Sequence, residues 1–528
     1  MRHFAMNRKL WALAAIVILS VLPLSGREKV NIIISGGTVY NGSGAEAVVA
    51  DVVIKGERII YVGKAGKKFK ADTIIHADGY VVCPGFIDPH SHQEGSLLRT
   101  RSDENYLRMG VTTVFTGMCG GSHYPLSEYF AKLEQQGIGP NTASFTGHGT
   151  LRGKVMGEVA RLSTVEEVEK MKEFFAEDLK SGSFGLSTGL FYVPGCFAAI
   201  DEVYELAKFM APYGGIYTTH VRNENKDGIG LQASIEEALN VGRVAGVPVN
   251  ISHIKCLGKS VWGQSDAIIA MIEKAQKEGV KVTADQYPYQ ASGTSVTSAL
   301  FPAWCRDGGN AGLRKRLEDS LTCEKIKAEV AELIVERGGA ETILFTSGKH
   351  KGKTLEEVAY EMGLSPLDAT IALARKGGAG LATFVMCEAD IANFMKQSWV
   401  MNCTDGGDFG GHPRPAGSFA EKIQKYVMNE KVISLGDMIH RSTGLVAETY
   451  RLNDRGRIAA GAYADILVFK PEEIRANATF KSPKNMATGF QYVIVNGTIT
   501  IDHDRYTGAL KGKVIRRNAP ARSNAQKY

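Results

Sequence analysis

The chain has few cysteines, and they are not arranged in pairs. Eight cysteines are scattered over 528 residues, and no two of them have the Cys-x-x-Cys spacing of a zinc ribbon. This scatter excludes a small scaffold held together by disulfides. Pairing between individual cysteines in an oxidising compartment stays open, because sequence alone does not give disulfide connectivity.

A strong excess of one charge is also lacking. The formal net charge is +6, from 62 Lys and Arg against 56 Asp and Glu. The basic residues are spread along the chain without a stripe of interleaved aromatic residues, so we expect no nucleic-acid partner. A short basic stretch lies at residues 511–522, and we predict that the last residues, 516–528, form a mobile tail.

Long apolar runs are absent except at the N-terminus. Residues 10–26 are uncharged and largely apolar, follow Arg8 and Lys9, and end in small residues. The run is slightly shorter than the roughly 20 residues that a spanning helix needs. This pattern is typical of a cleaved signal peptide, so we predict that residues 1–26 direct export to the periplasm or the medium. We expect no membrane span after cleavage.

Metal-binding side chains stand out in the chain because they directly follow apolar segments. His90 and His92 come after residues 84–88. In an extended strand, side chains at positions i and i+2 point to the same face, so both imidazoles can reach one ion. The protein is therefore a candidate metalloenzyme.

Three more potential ligands end runs of apolar and β-branched residues. They are His220 after residues 215–219, His253 after residues 248–252, and Asp405 after residues 399–404. The carboxyl ends of the strands ring the active site of a (β/α)8 barrel. We therefore expect these residues to share one centre, although they are far apart in sequence.

The middle of the chain alternates short apolar runs with helical patterns, which predicts a parallel sheet. Eight core strands are predicted, the number of a barrel: residues 82–87, 112–116, 142–146, 185–188, 215–219, 248–252, 280–284 and 399–404. In this register Cys119 follows the second strand. Residues 290–397, between strands 7 and 8, are too many for a simple crossover and predict an insertion, a helical excursion or lid.

Both chain ends, in contrast, are rich in predicted strands. We therefore predict an α/β fold with strand-rich segments at 30–83 and 456–515 on either side of a barrel at 84–455.

Two segments resemble marks of the amidohydrolase superfamily: residues 84–92, PGFIDPHSH, and residues 456–466, GRIAAGAYADI. Narrower motifs resemble the N-acyl-D-amino-acid deacylases, or D-aminoacylases, of that superfamily. They are residues 110–114 leading to 119–120, then 147–152, 185–190, 219–222, 252–255, 287–289 and 412–414. The resemblance implies a distorted (β/α)8 TIM-like barrel, with a small β-sandwich domain formed by both chain ends and the insertion between strands 7 and 8.

The resemblance also implies a zinc site. Its tightly bound ion would be held by Cys119, His220 and His253. A weaker neighbouring metal position would be lined by His90, His92 and Asp405. A thiolate with two neutral imidazoles suits tetrahedral zinc and leaves a fourth position open for water.

The implied reaction is hydrolysis of the amide bond of an N-acyl-D-amino acid, which releases a D-amino acid and a carboxylate. Zinc lowers the pKa of bound water toward about 7. Asp405 is the implied catalytic group, which accepts a proton from this water and later returns one to the leaving amine. The family pattern also implies that Tyr192 assists at the carbonyl. It assigns the carboxylate of this small-molecule substrate to Lys255, Tyr287 and Arg414.

Other functions stay open from the sequence. They are a dipeptidase that releases a C-terminal D-residue, a cyclic-amide hydrolase of the same superfamily, and a non-catalytic binding protein. The intact ligand set speaks against the last of these, and Lys255 with Arg414 favours a substrate with a carboxylate over a neutral cyclic amide. Leu300, Phe301 and Trp304 either line an apolar side-chain pocket or form the core of the insertion. The oligomeric state is not indicated.

Overall fold

The computed structural model of the protein describes residues 27–408 and 410–517. The predicted signal peptide at 1–26 and residues 518–528 of the predicted tail lie outside these residues. None of the described helices is both long and apolar enough to cross a bilayer. All eight cysteines are free thiols.

The strands of the described residues alternate with helices in the middle of the chain. They are β1 (Glu28–Val39), β2 (Val48–Lys55), β3 (Arg58–Gly63), β4 (Phe69–His76), β5 (Val81–Pro84), β6 (Phe86–Asp88), β7 (Val111–Thr116), β8 (Asn141–Ser144), β9 (Thr146–Gly147), β10 (Gly185–Gly189), β11 (Ile216–His220), β12 (Val249–Ile251), β13 (Val282–Gln286), β14 (Ala291–Ser295), β15 (Ile343–Phe345), β16 (Gly380–Phe384), β17 (Val400–Asn402), β18 (Ile466–Phe469), β19 (Phe490–Val495), β20 (Thr498–Asp502) and β21 (Arg505–Tyr506).

The α-helices are α1 (Glu94–Arg99), α2 (Glu104–Arg108), α3 (Leu126–Gln136), α4 (His148–Met156), α5 (Val165–Ser181), α6 (Ile200–Met210), α7 (Leu231–Ala245), α8 (Ser265–Lys277), α9 (Val296–Leu300), α10 (Gly309–Glu318), α11 (Ser320–Glu336), α12 (Leu355–Met362), α13 (Pro366–Arg375), α14 (Glu388–Met395), α15 (Arg414–Glu421), α16 (Leu435–Arg441) and α17 (Gly444–Tyr450). A π-helical segment, Lys422–Asn429, continues α15. Short 3₁₀ turns are Gly195–Phe197, Ala211–Tyr213, Lys259–Val261, Ala303–Arg306, Ala340–Thr342 and Pro471–Glu473.

The two chain ends meet in one nine-stranded sheet. Its order is β21-β20-β19-β18-β5-β1-β2-β3, and β4 also pairs with β1. The ends are joined where β18 runs antiparallel to β5. Strand β1 is buried on both faces, because Ile32 and Ile34 pack in one apolar cluster and Ile33, between them, packs in another. Alternation of side chains along a strand explains this division.

The functional site is carried by parallel strands in two groups. One sheet has the order β17-β13-β12-β11-β10-β9 and the other the order β6-β7-β8. Only Phe145 separates β8 from β9. At the other end, Thr404 after β17 donates a hydroxyl hydrogen bond to Asp88 of β6 (2.6 Å), and the Asp405 N–H donates to the His90 carbonyl (2.9 Å). The carboxyl ends of all these strands therefore point to one side.

Helix α5 illustrates how sequence sets the helices around these strands. Thr164 and Glu167 form a reciprocal capping box at its start. Met171, Phe175 and Leu179 recur at four-residue spacing and are buried. Gly182 ends the helix in the left-handed conformation, with φ of 104°. The buried stripe packs in the same cluster as residues of β10 and β11.

Residues 291–384, between β13 and β17, contain a small antiparallel sheet of order β14-β16-β15 and helices α9 to α13. This region has its own apolar cluster, which includes Ile326, Val330 and Val358. Leu300 and Phe301 belong to this cluster, and Trp304 packs against it. Phe301 also lines a large cavity beside the site.

Two predicted strands are broken. The first predicted strand, 82–87, divides at Gly85, because Val81–Pro84 joins the nine-stranded sheet and Phe86–Asp88 joins the parallel strands. A Cβ at Gly85 would lie only 2.1 Å from the Thr112 hydroxyl, so a side chain does not fit at this crossing. The third predicted strand, 142–146, is interrupted at Phe145.

The last described residues are bonded to the rest of the fold. The Gly512 N–H donates to the Ile138 carbonyl (2.8 Å) and the Ile515 N–H to the Thr142 carbonyl (2.7 Å). Arg516 forms an ion pair with Glu134, and the Arg517 N–H donates to the Gly182 carbonyl (3.0 Å). Backbone hydrogen bonds of this kind, which a count of basic residues does not reveal, hold residues 512–517 against the segment that leads into β8.

Candidate metal centre

The predicted ligands meet at the carboxyl ends of the parallel strands. Their donor atoms form two groups that share Cys119. One group is His90, His92, Cys119 and Asp405, and the other is Cys119, His220 and His253. Within each group all donor atoms lie within 4.8 Å of one another. The two candidate sites predicted from the sequence are thus adjacent.

The Cys119 sulfur lies at the middle of three imidazoles. Its distances are 3.3 Å to His90 Nε2, 3.4 Å to His253 Nε2 and 3.8 Å to His220 Nδ1. Asp405 Oδ1 is 3.2 Å from His92 Nε2 and 3.4 Å from His90 Nε2. Among residues 27–408 and 410–517, Cys119 is therefore the member that the two groups share.

Each of the three imidazoles around Cys119 has a buried carboxylate on its far side. His90 Nδ1 is 3.2 Å from Asp285, His253 Nδ1 is 3.1 Å from Glu224, and His220 Nε2 is 3.8 Å from Glu224. Histidines that bind metals commonly have a carboxylate at the second ring nitrogen, which sets the tautomer and the ring orientation. The arrangement leaves the nitrogens that face Cys119 free to bind an ion.

The protonation states fit a metal with soft ligands. Burial lowers the pKa of His220 and of His90, which favours the neutral imidazoles that a metal requires. Burial raises the pKa of the Cys119 thiol well above its usual range, so a thiolate here needs a cation beside it. One sulfur and two imidazole nitrogens fit zinc better than a hard cation such as Mg²⁺.

Backbone strain is concentrated at the same residues. Cys119, His253 and Asp405 have φ values of 51°, 36° and 48°, in the left-handed region that residues with a Cβ rarely occupy. The His253 N–H donates a hydrogen bond to Asp285 (2.7 Å), which fixes the backbone at His253. Next to Cys119, the backbone of Gly120 packs closely against Gly189, so that an added Cβ at Gly120 would lie 2.7 Å from the Gly189 nitrogen. Strain of this kind is typical of functional sites.

Asp405 is paired with Arg414 beside these ligands. Arg414 Nη1 donates to Asp405 Oδ2 at 2.6 Å, and both residues are largely buried. Burial alone would raise the pKa of Asp405. Arg414 and the nearby histidines outweigh this effect and hold the pKa well below its usual range. The Asp405 carboxylate is therefore ionised and able to accept a proton.

Lys255 is paired in a similar way. Its Nζ lies 2.5 Å from Glu224 Oε1 and 2.7 Å from His253 Nδ1. The ring of Tyr287 lies near the cations of both Lys255 and Arg414. Its centroid is 5.6 Å from Lys255 Nζ and 5.3 Å from the Arg414 guanidinium carbon. The predicted carboxylate-binding residues therefore form one wall of the site.

Tyr192 completes the predicted set. Its ring packs edge-on against His220, with centroids 4.8 Å apart, and its hydroxyl accepts a hydrogen bond from Thr294 (3.4 Å). His412 Nδ1 accepts a hydrogen bond from the backbone N–H of Arg414 (3.1 Å), which helps to fix the position of Arg414. His148 instead bonds Glu202 at 2.6 Å, in a buried cluster with Arg152, and does not belong to the ligand groups.

Sequence reasoning missed the two carboxylates behind the histidines. Asp285 directly follows the seventh predicted strand, so the strand-end argument that found Asp405 applies to it equally. Burial alone would raise the pKa of Asp285, but His90 outweighs it and lowers the pKa to about 2. Glu224 lies in the loop four residues after His220, and no spacing rule identifies it. Only the folded loop brings its carboxylate to His220 and His253.

Comparison with known proteins agrees with this fold and site. A profile of the amidohydrolase family matches residues 351–501. The D-aminoacylase of Alcaligenes xylosoxydans xylosoxydans is 31% identical, over 94% of this chain and 99% of that protein. The structure of N-acyl-D-glutamate deacylase from Bordetella bronchiseptica, with zinc and a phosphonate that mimics the tetrahedral intermediate, is 29% identical. It matches with a TM-score of 0.81 over 93% of this chain and 100% of that chain.

A third structure concerns the binuclear metal centre of a D-aminoacylase. It is 31% identical, with a TM-score of 0.79 over 92% of this chain and 100% of that chain. Fold and site together define an amidohydrolase, with the α/β fold of the amidohydrolase TIM-barrel type. Within this class the chain belongs to the D-aminoacylase family, as the sequence motifs predicted.

The shared position of Cys119 predicts unequal effects of ligand substitutions on metal binding. Cys119→Ala removes a ligand from both groups and should lose the tightly bound zinc. His92→Ala removes a ligand from one group only, at a side chain that is 34% exposed, and should keep most of the zinc. Metal content after dialysis measures both. Cys256→Ala, at a buried cysteine outside both groups, is the matched control, and full zinc in the Cys119 variant would contradict the assignment.

Proposed function

We propose that the protein is a zinc-dependent N-acyl-D-amino-acid deacylase. It hydrolyses the amide bond between an acyl group and a D-amino acid and releases the D-amino acid and a carboxylate. The observation that carries this proposal is the pair of ligand groups that share Cys119, next to the Asp405–Arg414 ion pair, in a chain of the D-aminoacylase family.

We propose further that the eight parallel strands form a distorted (β/α)8 barrel within residues 84–455 and that the sheet of both chain ends forms a small β-sandwich. Hydrogen bonds between the segments after β6 and β17 support a closed ring of strands. The separate apolar clusters on the two faces of β1 support a layered end domain.

The tight zinc site is assigned to Cys119, His220 and His253, and a weaker neighbouring position to His90, His92 and Asp405. When bound there, zinc would supply Lewis acidity, which lowers the pKa of water to about 7 and polarises a carbonyl oxygen. The Glu224 carboxylate would hold the imidazoles of His220 and His253 in position for this ion, and Asp285 would do the same for His90 at the neighbouring position. We propose that zinc binds more tightly to Cys119, His220 and His253 because this group combines a thiolate with imidazoles. The other group also contains the Asp405 carboxylate, which is a harder ligand.

Asp405 is assigned the proton transfers. Its carboxylate is ionised, and it lies among the histidines within hydrogen-bond reach of a small molecule held between them. It takes a proton from the attacking water and gives one to the amine nitrogen, which leaves readily only when protonated. Arg414 keeps the carboxylate charged until the first proton arrives.

The carboxylate of the substrate is assigned to the wall of Lys255, Tyr287 and Arg414. Lys255 and Arg414 already have carboxylate partners within the protein, but an ammonium offers three donors and a guanidinium five. The remaining donors are available to the substrate. Tyr192, against His220, is placed in this proposal at the carbonyl oxygen of the scissile amide.

Two related activities are the alternatives: a dipeptidase that releases a C-terminal D-residue and a cyclic-amide hydrolase. Two cations on one wall favour a substrate with a free carboxylate over a neutral cyclic amide. The substrate is a small molecule in either case. The N-terminal pattern of residues 1–26 supports the further proposal that the enzyme is exported.

A substrate screen tests the proposed function. Purified zinc-loaded protein is assayed with N-acetyl-D and N-acetyl-L amino acids and with dipeptides that end in the same D-residues. We expect release of acetate from the D-series and not from the L-series. Faster cleavage of the dipeptides would replace the deacylase by the dipeptidase, and no turnover of any of these substrates would contradict both.

Asp405→Asn should lower kcat by roughly 10²-fold or more, the usual scale for a positioned acid and base, because an amide does not accept the proton. The tight zinc ligands are unchanged, so one zinc per chain should remain. Steady-state kinetics and metal analysis on the same preparation are the measurements. Asp408→Asn, at an exposed carboxylate three residues away, is the control. Unchanged kcat in the Asp405 variant would remove Asp405 from the mechanism.

Arg414→Met should reduce kcat/KM more for N-acyl-D-amino acids than for their neutral amide analogues. A charge-assisted contact contributes more than a neutral hydrogen bond, and its loss leaves the substrate carboxylate unpaired. Some loss is expected on both substrates, because Arg414 also pairs with Asp405. The ratio of the two losses isolates the carboxylate contact. Equal losses would show that Arg414 acts only through Asp405.

A further inference from the structure

Two cysteines outside the ligand groups lie on neighbouring segments of the fold. Cys256 follows Lys255 in the segment after β12, and Cys387 directly precedes α14, just after the insertion. Neither belongs to the candidate metal centre. Burial raises the pKa of the Cys256 thiol, and the nearby Cys387 adds to this effect. The two thiols, which are 131 residues apart in sequence, are therefore close in space.

The backbones of these two segments pair in antiparallel register. Leu257 and Met386 form an isolated antiparallel bridge. Next to it, the Gly258 N–H donates to the Val385 carbonyl (3.0 Å). The side chains of Leu257 and Met386 pack in the same apolar cluster, as expected for residues that face each other across a ladder.

The same register places Cys256 directly opposite Cys387, one residue to the other side of the bridge. Opposite residues of an antiparallel pair have Cα atoms about 4.5–5.5 Å apart, which lies within the range that a disulfide spans. Their side chains point to the same face of the ladder. Both cysteines indeed line one small cavity, of about 10 Å³. This is the space of roughly one water molecule, so the cavity is a gap beside the two thiols rather than a ligand site.

The two thiols differ in their access to solvent. Cys256 is 1% exposed, whereas Cys387 is partly exposed at the start of α14. A reagent in solution therefore reaches Cys387 first, and Cys256 is protected from direct attack. This combination of one accessible and one buried thiol suits an ordered reaction in two steps.

We infer that Cys256 and Cys387 are a modification site, at which a disulfide oxidant forms a bond that ties the segment carrying His253 and Lys255 to the exit of the insertion. The inference does not depend on the substrate of the enzyme. Export, proposed above from residues 1–26, would bring the chain into a compartment where such oxidants act.

The reaction is thiol–disulfide exchange with an external disulfide such as glutathione disulfide. The Cys387 thiolate attacks one sulfur of the oxidant, forms a mixed disulfide and releases one glutathione thiolate. The Cys256 thiolate then attacks the Cys387 sulfur and releases the second glutathione thiolate. Two thiols are oxidised to one disulfide, the oxidant is reduced to two thiols, and the two protons pass from the cysteines to the released thiolates.

The position of this bond gives it a role in the site. Cys256 directly follows Lys255 and lies three residues after the candidate ligand His253. The cavity beside the two thiols is also lined by His253, Lys255 and Tyr287. A covalent bond here would restrict the backbone that carries a metal ligand and a cation of the proposed substrate wall.

Two cysteines of the insertion serve as a comparison. Cys305 and Cys323 belong to the same apolar cluster. The Cys305 thiol donates to the Pro302 carbonyl (3.1 Å), and Cys323 accepts from Arg375 (3.7 Å). No backbone pairing among the described residues places Cys305 opposite Cys323. Burial in a common cluster thus does not align two thiols, whereas the register at Cys256 and Cys387 does.

The test equilibrates the zinc-loaded, full-length protein with glutathione disulfide, blocks the remaining thiols, and maps the cross-linked peptides by mass spectrometry. The wild-type chain should lose two of its eight thiols and yield a peptide in which Cys256 is joined to Cys387. Retention of all eight thiols, or a bond between other cysteines such as Cys305 and Cys323, would overturn the inference. This measurement needs no variant, so a loss of stability on substitution does not affect it.

Three variants test the order of the two steps. Cys256→Ala should stop at a glutathione adduct of Cys387, because the second thiol is missing. Cys387→Ala should form neither this adduct nor a bond at Cys256. Cys305→Ala, at a buried cysteine of the insertion, is the control and should form the bond as the wild type does. A stable glutathione adduct in place of the bond in the wild-type chain would contradict the pairing.

Oxidation should raise the melting temperature of the wild-type protein by about 2–4 °C, because the bond closes a long loop and restricts the unfolded chain. It should not change the melting temperature of Cys256→Ala or Cys387→Ala. A lower melting temperature after oxidation would show that the bond distorts the fold and would contradict its role in holding the site. None of these measurements uses turnover, so they stand or fall separately from the proposed deacylase activity.

Discussion

The burial of ionisable side chains around the Cys119 sulfur is the constraint on which the site depends. Three almost fully buried imidazoles meet the half-buried thiol of Cys119, and an unpaired charge among them is costly. Burial lowers the pKa of His90 and of His220 and so favours their neutral forms, and Asp285 or Glu224 lies behind each of the three imidazoles. A divalent cation at this point would complete the arrangement, because it stabilises the thiolate that burial alone disfavours.

The buried cations in and beside the site fall into two kinds, those with a carboxylate partner and those without an ion pair among the described residues. Lys255 and Arg414 are balanced by Glu224 and Asp405, so the protein compensates them before any substrate arrives. These pairs hold the carboxylates ionised and oriented. Among residues 27–408 and 410–517, Arg306 and Arg337 are buried to a similar degree but form no ion pair. The cations of this region therefore differ in pairing at similar burial.

The strained backbone at Cys119, His253 and Asp405 also serves to direct these side chains toward the candidate metal centre. The three ligand residues with positive φ all lie just after strands, where the chain must turn sharply while its side chain points to the centre. The rigid parallel strands and the small residues around them carry this strain, as the close approach of Gly120 to Gly189 illustrates. The insertion adds a wall of the neighbouring cavity, which carries Arg306 and Arg337, and this wall is separate from the strand ends that carry the candidate metal ligands.

Much of the site was predictable because it follows one simple rule. Ligands at the carboxyl ends of parallel strands converge, so His90, His92, His220, His253 and Asp405 could be grouped from their positions after apolar runs. The family motifs added Cys119, which a lone cysteine would not have indicated. The same rule applied to the seventh strand would have included Asp285.

The sequence by itself determined the alternation of strands and helices, the strand-end ligands and the family, because these depend on local periodicity and on the order of motifs along the chain. Only the tertiary structure decided which residues compensate one another. Glu224 reaches two histidines through a loop, Arg414 meets Asp405, and Gly85 divides a strand between two sheets. Pairing and burial are properties of distances between segments far apart in sequence, and residue order does not contain those distances.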